Sequence, residues 1–378
     1  MFRMMDIYRF FENPPSIILA TRSREFYRDQ RLLIQPEIVP LPSKGLETRG
    51  LANLLAAILS SIGYLAFSLI LYMRLRPKKS YIKLVHAHYI FPQGLFGLIL
   101  AYLLKVPLIV SAVGQDVNEM MRGIIVSQAE NERIRTNVVF KGICRFVLKR
   151  ATNTVAVSRP LETTLQQFHT HNCVFIPSSV DTTSLCPRDE ASSPHSILSV
   201  AAMIDRKRPL LLLNAFEKVV MKIQEATLVM VGNGPLLGVV KEEIRRKGLQ
   251  DRVKLFPHLN WPSHLLEELL FGASVFVLPS LCEGLSYALL EAMACGKVIV
   301  ASSNESHKEI FQDGNNALLF CLDDEKDLAE KLVLALTSNR LRTRLSRSVR
   351  ELCISQFSNN EAGPKLEKVY LKAIRGRG

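Results

Sequence analysis

A chain of 378 residues with 48% hydrophobic content is long enough to bury the cores of two or three domains, and that composition excludes a disordered or low-complexity protein. The net charge of +13 calls for an anionic partner. Aromatic residues make up only 7% of the chain and are not interleaved with its basic runs, and no nucleic-acid reader motif is present, so a membrane surface or a phosphorylated substrate is expected rather than nucleic acid. The seven cysteines form no C-x-x-C pair, which argues against a zinc site or a disulfide framework and fits reduced thiols in the cytosol.

The opening MFRMMDIYRFFENPPS lacks both the sustained apolar core and the small-residue cleavage site of a secretory signal. Pro15 to Thr21 reads as a strand, and no glycine occurs before Gly45. Gly50 to Met73 holds no charged residue and is followed by Arg74, Arg76, Lys78, Lys79 and Lys83. Its length matches a bilayer core of roughly 30 Å. Asn53, Ser60, Ser61 and Ser68, and the strand directly after it, favour instead a helix packed on a sheet or lying on a membrane surface, with a true span as the alternative. From Lys83 an α/β rhythm sets in: a strand from Lys83 ending in His86-Ala87-His88, a helix from Pro92 to Lys105 and a strand from Pro107 to Val113 form a βαβ unit and hence a parallel sheet. His86 and His88 project to one face of their strand. No third ligand is placed near them, so structural or substrate-facing imidazoles are expected over a metal clip.

Gly114 to Asn118 follows the second strand at the end where open α/β sheets place ligands, and Asp116 and Asn118 either face the cleft or close an Asx turn. A helix over Val138 to Ala151, a strand over Asn153 to Ser158, a helix over Arg159 to Phe168 and a strand over Cys173 to Ile176 complete this domain, and Pro177 to Pro194 reads as a linker. The second α/β domain opens with the strand Ser196 to Ala201. The loop behind it carries Arg206, Lys207 and Arg208 into the helix from Pro209, where a diphosphate would be neutralised, with a solvated cluster at the helix start as the alternative. Gly232-Asn233-Gly234 follows the strand Ala226 to Val231. A nicotinamide site is disfavoured there, because the G-x-G-x-x-G spacing is absent and Pro257-His258 stands where an acidic ribose ligand is needed.

Val275 to Asn304 organises the chain as strand, loop, helix and strand. Pro279 ends the strand, Ser286 is the expected N-cap, and Gly296 closes the helix. Glu283 then lies in the loop and Glu291 inside the helix, while the backbone N–H groups of Leu285, Ser286 and Tyr287 form an anion-binding helix N-terminus.

Glu283-Gly284-Leu285-Ser286-Tyr287 through Glu291 to Gly296 resembles the E-x7-E signature of the retaining GT-B glycosyltransferases, group 1 and family 4-like, and the resemblance runs from about Lys83 to Ile374. It implies two Rossmann-like domains with parallel sheets facing a cleft: residues 1–180 on the acceptor side, a linker at 181–194, a donor-binding domain at 195–357, and a C-terminal helix at 358–378 that returns to the first domain. It also implies transfer of a sugar from a nucleotide-sugar donor to a glycan or lipid-linked acceptor with retention of configuration. The enzyme would be metal-independent and without a cofactor, and would sit in the cytoplasm, peripheral on the inner face of an anionic membrane. Glu283 and Lys207 are the implied catalytic residues. Glu291, Gly284, Leu285, Ser286, Tyr287, Arg206, Gly232, Asn233, Gly234, Asp116 and Asn118 are the implied substrate-binding set. The chain departs from the family pattern at Val113, which replaces a histidine; at Ala202, which replaces an arginine; at Glu305-Ser306, which replaces a Gly-Gly pair; and in lacking an N-terminal Gly-rich turn. A degenerate relative that binds nucleotide-sugar or a partner without turnover is the alternative.

Overall fold

The computed structural model describes residues 18–21, 37–40, 68–73, 75–113, 117, 138–168, 170, 172–188, 193–257, 264–283 and 285–376. Most of the apolar 50–73 segment lies outside these residues, as do Asp116, Asn118 and Gly284.

The described strands form two larger parallel sheets and one separate pair. The pair is β1 (Ile18–Thr21) with β2 (Glu37–Pro40). The first sheet runs in the order β3 (Val85–His88), β4 (Leu108–Ala112), β5 (Asn153–Ala156), β6 (Cys173–Phe175). The second contains β7 (Ser196–Val200), β8 (Thr227–Val231), β9 (Val253–Phe256), β10 (Val275–Leu278), β11 (Val298–Ser302) and β12 (Leu318–Phe320). Its order is 12-11-10-7-8-9, so the winding direction reverses between β7 and β10. In an open parallel sheet the crevice beyond the strand ends at such a reversal is where a ligand fits.

The apolar runs explain the central strands. Val275, Phe276, Val277 and Leu278 are all fully buried because helices cover both faces of the sheet, and each contributes roughly 1.5–3 kcal/mol on burial. The helix Tyr287–Ala294 is buried along almost its whole length and packs in the core with Phe276, Ile299 and Val349.

One local expectation is corrected and another holds only in part. Residues 90–94 form a separate wide turn containing Pro92, so the regular helix begins at Leu95 instead of Pro92. Proline lacks the N–H that a continuing helix needs. Ser286 does occupy the N-cap position, with extended backbone angles, but its side chain makes no capping bond.

The last helix, Asn359–Arg375, returns to the first sheet. Its Ala362, Leu366, Val369, Tyr370 and Ala373 pack on Ile109, Val155 and Ile176. Reciprocal backbone bonds tie the crossing point, with Val180 N–H donating to Phe357 O and Asn359 N–H to Val180 O, each at 2.9 Å. Among the described residues no helix is long and apolar enough to cross a membrane.

Candidate active site

The site lies at the winding reversal, where the loop after β7 meets the loop after β10. A short 3-10 turn, Asp205–Lys207, closes the first loop, and Pro209 starts the next helix. The second loop hydrogen-bonds onto the first: Leu281 N–H donates to Arg206 O at 2.9 Å, and Arg206 Nη1 donates to Cys282 O at 3.0 Å. These bonds bring three charges together. Lys207 Nζ is ion-paired with the Glu283 carboxylate, and Arg206 Nη1 stands 3.5 Å from its other oxygen. The Glu283 side chain is only 7% exposed, so it is not a solvated loop acid. Burial pushes its carboxyl up, but the Lys207 ammonium and the Arg206 guanidinium outweigh burial and hold it below the ordinary carboxylate value. Arg208 turns away, with Nε 2.9 Å from Asp323, so Arg206 is the second cation of the cluster.

Gly232 and Gly234 explain how the neighbouring loop approaches. Both have positive φ (153° and 157°), and a Cβ at either would collide with the main chain of Ala201 or Met203. Their absence of side chains lets Met203 N–H reach Asn233 O at 2.9 Å and Leu236 N–H reach Met203 O at 3.0 Å. The Asn233 side chain accepts the Gly234 N–H at 2.8 Å. Glu291 is 1% exposed, so it is not a solvated helix-face charge.

The first sheet presents neutral polar groups. His86 Nε2 lies 2.8 Å from Ser111 Oγ, its Nδ1 meets the Tyr370 hydroxyl of the returning helix, and the His86 and His88 rings are 4.3 Å apart, on one face. Burial lowers the His86 pKa, the neighbouring His88 lowers it further, and burial brings His88 down to about 4. Among the described residues no group of three or more His, Cys, Asp or Glu side chains is arranged to hold a metal ion.

Three features escaped sequence reasoning. Glu309 reaches across to the first domain, its carboxylate accepting the Arg159 N–H at 3.3 Å. Tyr370 closes on His86 from 284 residues away. Asn304, Ser306 and His307 form a buried polar cluster beneath the Glu283 loop. The run of polar residues directly after the apolar β11 was the only available signal for this cluster.

This pair of parallel sheets, with a charged cleft at the winding reversal and a helix returning to the first sheet, defines a GT-B architecture. Residues 17–184 match the family model described as Glycosyltransferase Family 4, and residues 188–352 match that of Glycosyl transferases group 1. The chain belongs to this glycosyltransferase family. It is 25% identical over 293 residues to an uncharacterised glycosyltransferase of Methanocaldococcus jannaschii, covering 76% of this chain and 75% of that one. It is 24% identical over 324 residues to the UDP-Gal:alpha-D-GlcNAc-diphosphoundecaprenol alpha-1,3-galactosyltransferase of Escherichia coli, covering 81% and 79%. Sucrose-phosphate synthase from Thermosynechococcus elongatus superposes with a TM-score of 0.71 at 17% identity over 97% of this chain and 88% of that one. Anabaena HepE in complex with UDP-glucose superposes with a TM-score of 0.65 at 15% identity over 79% and 81%.

Proposed function

We propose that the protein transfers a hexose from a nucleoside-diphosphate sugar to a glycan or lipid-linked acceptor, with retention of configuration and without a metal ion. The observation that carries this reading is the buried Lys207–Glu283–Arg206 cluster at the winding reversal. Transfer leaves negative charge on a departing diphosphate and positive charge on the sugar ring, and both need preorganised partners in a shielded site. An ammonium has three N–H donors, so Lys207 can hold Glu283 and a phosphate oxygen together. Arg206 and the helix N-terminus at Leu285, Ser286 and Tyr287 supply further donors to the diphosphate. Glu283 meets the sugar, Glu291 the ribose, and the Gly232-Asn233-Gly234 loop the nucleotide. Asp116, Asn118 and Gly284, which lie outside the described residues, complete the proposed contacts.

The lipid-linked acceptor is supported by the E. coli relative, whose name specifies a diphosphoundecaprenol substrate. The excess of positive charge supports work at the anionic inner face of a membrane from the cytoplasm. Peripheral attachment of that kind weakens with salt, because exposed charges are screened within about 10 Å at 0.1 M. Vesicle flotation with anionic and neutral lipids checks it: the protein should float with anionic vesicles and be released by salt, and retention through salt and alkaline carbonate contradicts a peripheral mode.

The test of function is release of nucleoside diphosphate from UDP-glucose, UDP-N-acetylglucosamine, GDP-mannose and ADP-glucose across glycan and polyprenyl-diphosphate acceptors, with calorimetric binding of UDP, GDP and ADP. Turnover with one donor supports the reading. Binding without turnover under every acceptor identifies a non-catalytic relative, and no nucleotide binding by the folded protein removes the site.

A further inference from the structure

Ser306, one of the two positions at which this chain departs from its family's Gly-Gly pair, does structural work under the loop that carries Glu283. Ser306 Oγ donates to Glu283 O at 2.7 Å. Three residues earlier in that loop, Ser280 O accepts from Ser302 Oγ and from Asn304 Nδ2, the latter at 3.0 Å. Asn304 is in turn held by His307, whose backbone N–H donates to Asn304 Oδ1 at 2.9 Å. His307 Nδ1 lies 2.8 Å from Ser302 O. A carbonyl only accepts, so Nδ1 carries the proton and Nε2 the lone pair. Ser280, Ser302, Asn304, Ser306 and His307 are all at least nine-tenths buried.

We infer that Ser306 and His307 are positioning residues: together they fix the carbonyls of Ser280 and Glu283, and so hold the Glu283 carboxylate at the place where Lys207 and the sugar meet it. The inference rests on the proposed role of Glu283. A glycine at 306 would offer no hydroxyl to the Glu283 carbonyl. His307 is an expensive choice for packing alone, because its Nε2 is buried without a hydrogen-bond partner among the described residues. An apolar side chain of similar size would avoid that cost. What the imidazole supplies in return is the Nδ1–H bond to Ser302 O, which fixes the end of β11 that Ser302 and Asn304 use to grip Ser280.

A loop displaced by about 1 Å is enough to cost a well-aligned site up to a hundredfold in rate. The experiment uses the full chain and whichever donor of the panel above turns over fastest. Ser306→Ala and His307→Leu are expected to lower kcat by about tenfold or more while donor KM moves less than about threefold. Ser306→Thr, which keeps the hydroxyl, and His307→Asn, whose amide replaces the Nδ1–H, should restore most of kcat. In a Glu283→Gln background, Ser306→Ala should cost little more, because residues acting as one unit are non-additive. Should His307→Leu fail to fold, the Ser306 pair carries the test alone. Unchanged kcat in folded Ser306→Ala, an equal loss in Ser306→Thr, or full additivity with Glu283→Gln overturns the inference. If Glu283→Gln is itself fully active, the role of Glu283 fails instead, and the two failures are thereby separated.

Discussion

The two sheets gather opposite chemistry. The second sheet gathers ions: Lys207 and Arg206 surround a Glu283 carboxylate kept below its usual pKa. The first sheet gathers neutral groups: His86 between Ser111 and Tyr370, with the tilted ring of His88 beside it, both held uncharged by burial. The difference supports a division of labour in the proposed reaction. In that reaction the diphosphate would leave on the side of the second sheet, where a preorganised cation would lower the barrier, while an uncharged acceptor hydroxyl would approach on the other side and need only hydrogen bonds and shape.

Breaking the ionic side should have the largest effect. Lys207→Ala leaves a buried carboxylate with Arg206 alone, and about 3 kcal/mol of stability should be lost, since removing one partner of a buried pair strands the other. Nucleoside-diphosphate affinity should weaken by about 1.5–3 kcal/mol for the lost charge-assisted bond. Denaturant unfolding and calorimetry read the two separately, and unchanged affinity in a folded variant takes Lys207 out of the site.

A smaller effect is expected on the neutral side. Tyr370→Phe removes the hydroxyl that meets His86 Nδ1 and loosens the returning helix, at a cost of about 1–2 kcal/mol in chemical denaturation. Because the proposed nucleotide contacts belong to the other sheet, donor affinity should hold constant, and a parallel loss of affinity would mean that the two sides are coupled.

The pH dependence sharpens the contrast. The histidine pKa values are lowered in the fold, so the unfolded chain binds more protons and stability falls as pH drops from the ordinary histidine value of 6.5 towards about 4. The pKa of His307 in the second domain is also lowered by burial, so this residue adds to the loss of stability below 6.5. The Glu283 carboxyl is depressed, so its share of stability is intact above the ordinary carboxylate value and is lost only as pH falls through the lower folded value. Thermal unfolding across pH should therefore show two descents. Glu283→Gln should remove part of the lower one and leave the upper one unchanged.

Much of this architecture was legible in the sequence, for identifiable reasons. The run Val275 to Leu278 is apolar on both strand faces, which only a buried parallel strand tolerates, and Gly296 marks the helix end with a φ of +64°. Glu283 and Lys207 were each legible as candidates through the loops that carry them, and those loops meet in the fold. Their ion pair was not, because it joins residues 76 positions apart through a winding reversal that strand periodicity does not encode. The Gly232 and Gly234 positions were visible as a motif, but the need for glycine there comes from the Ala201 and Met203 main chain, a tertiary contact. Ser306 read as a departure from the family pattern, and only its bond to the Glu283 carbonyl shows what the hydroxyl does.

The most direct test of the central claim is to measure kcat and donor affinity side by side for Glu283→Gln and Glu291→Ala. Glu283→Gln keeps size and hydrogen bonding, removes the charge and releases Lys207 to the diphosphate. It should lower kcat by about a hundredfold or more, with donor affinity unchanged or tighter. Glu291→Ala should show the reverse pattern, with weaker binding and nearly normal turnover at saturation, since a ribose contact is the same in ground and transition states. A Glu283→Gln protein that binds donor and turns over within a few-fold of the parent rate would contradict the account.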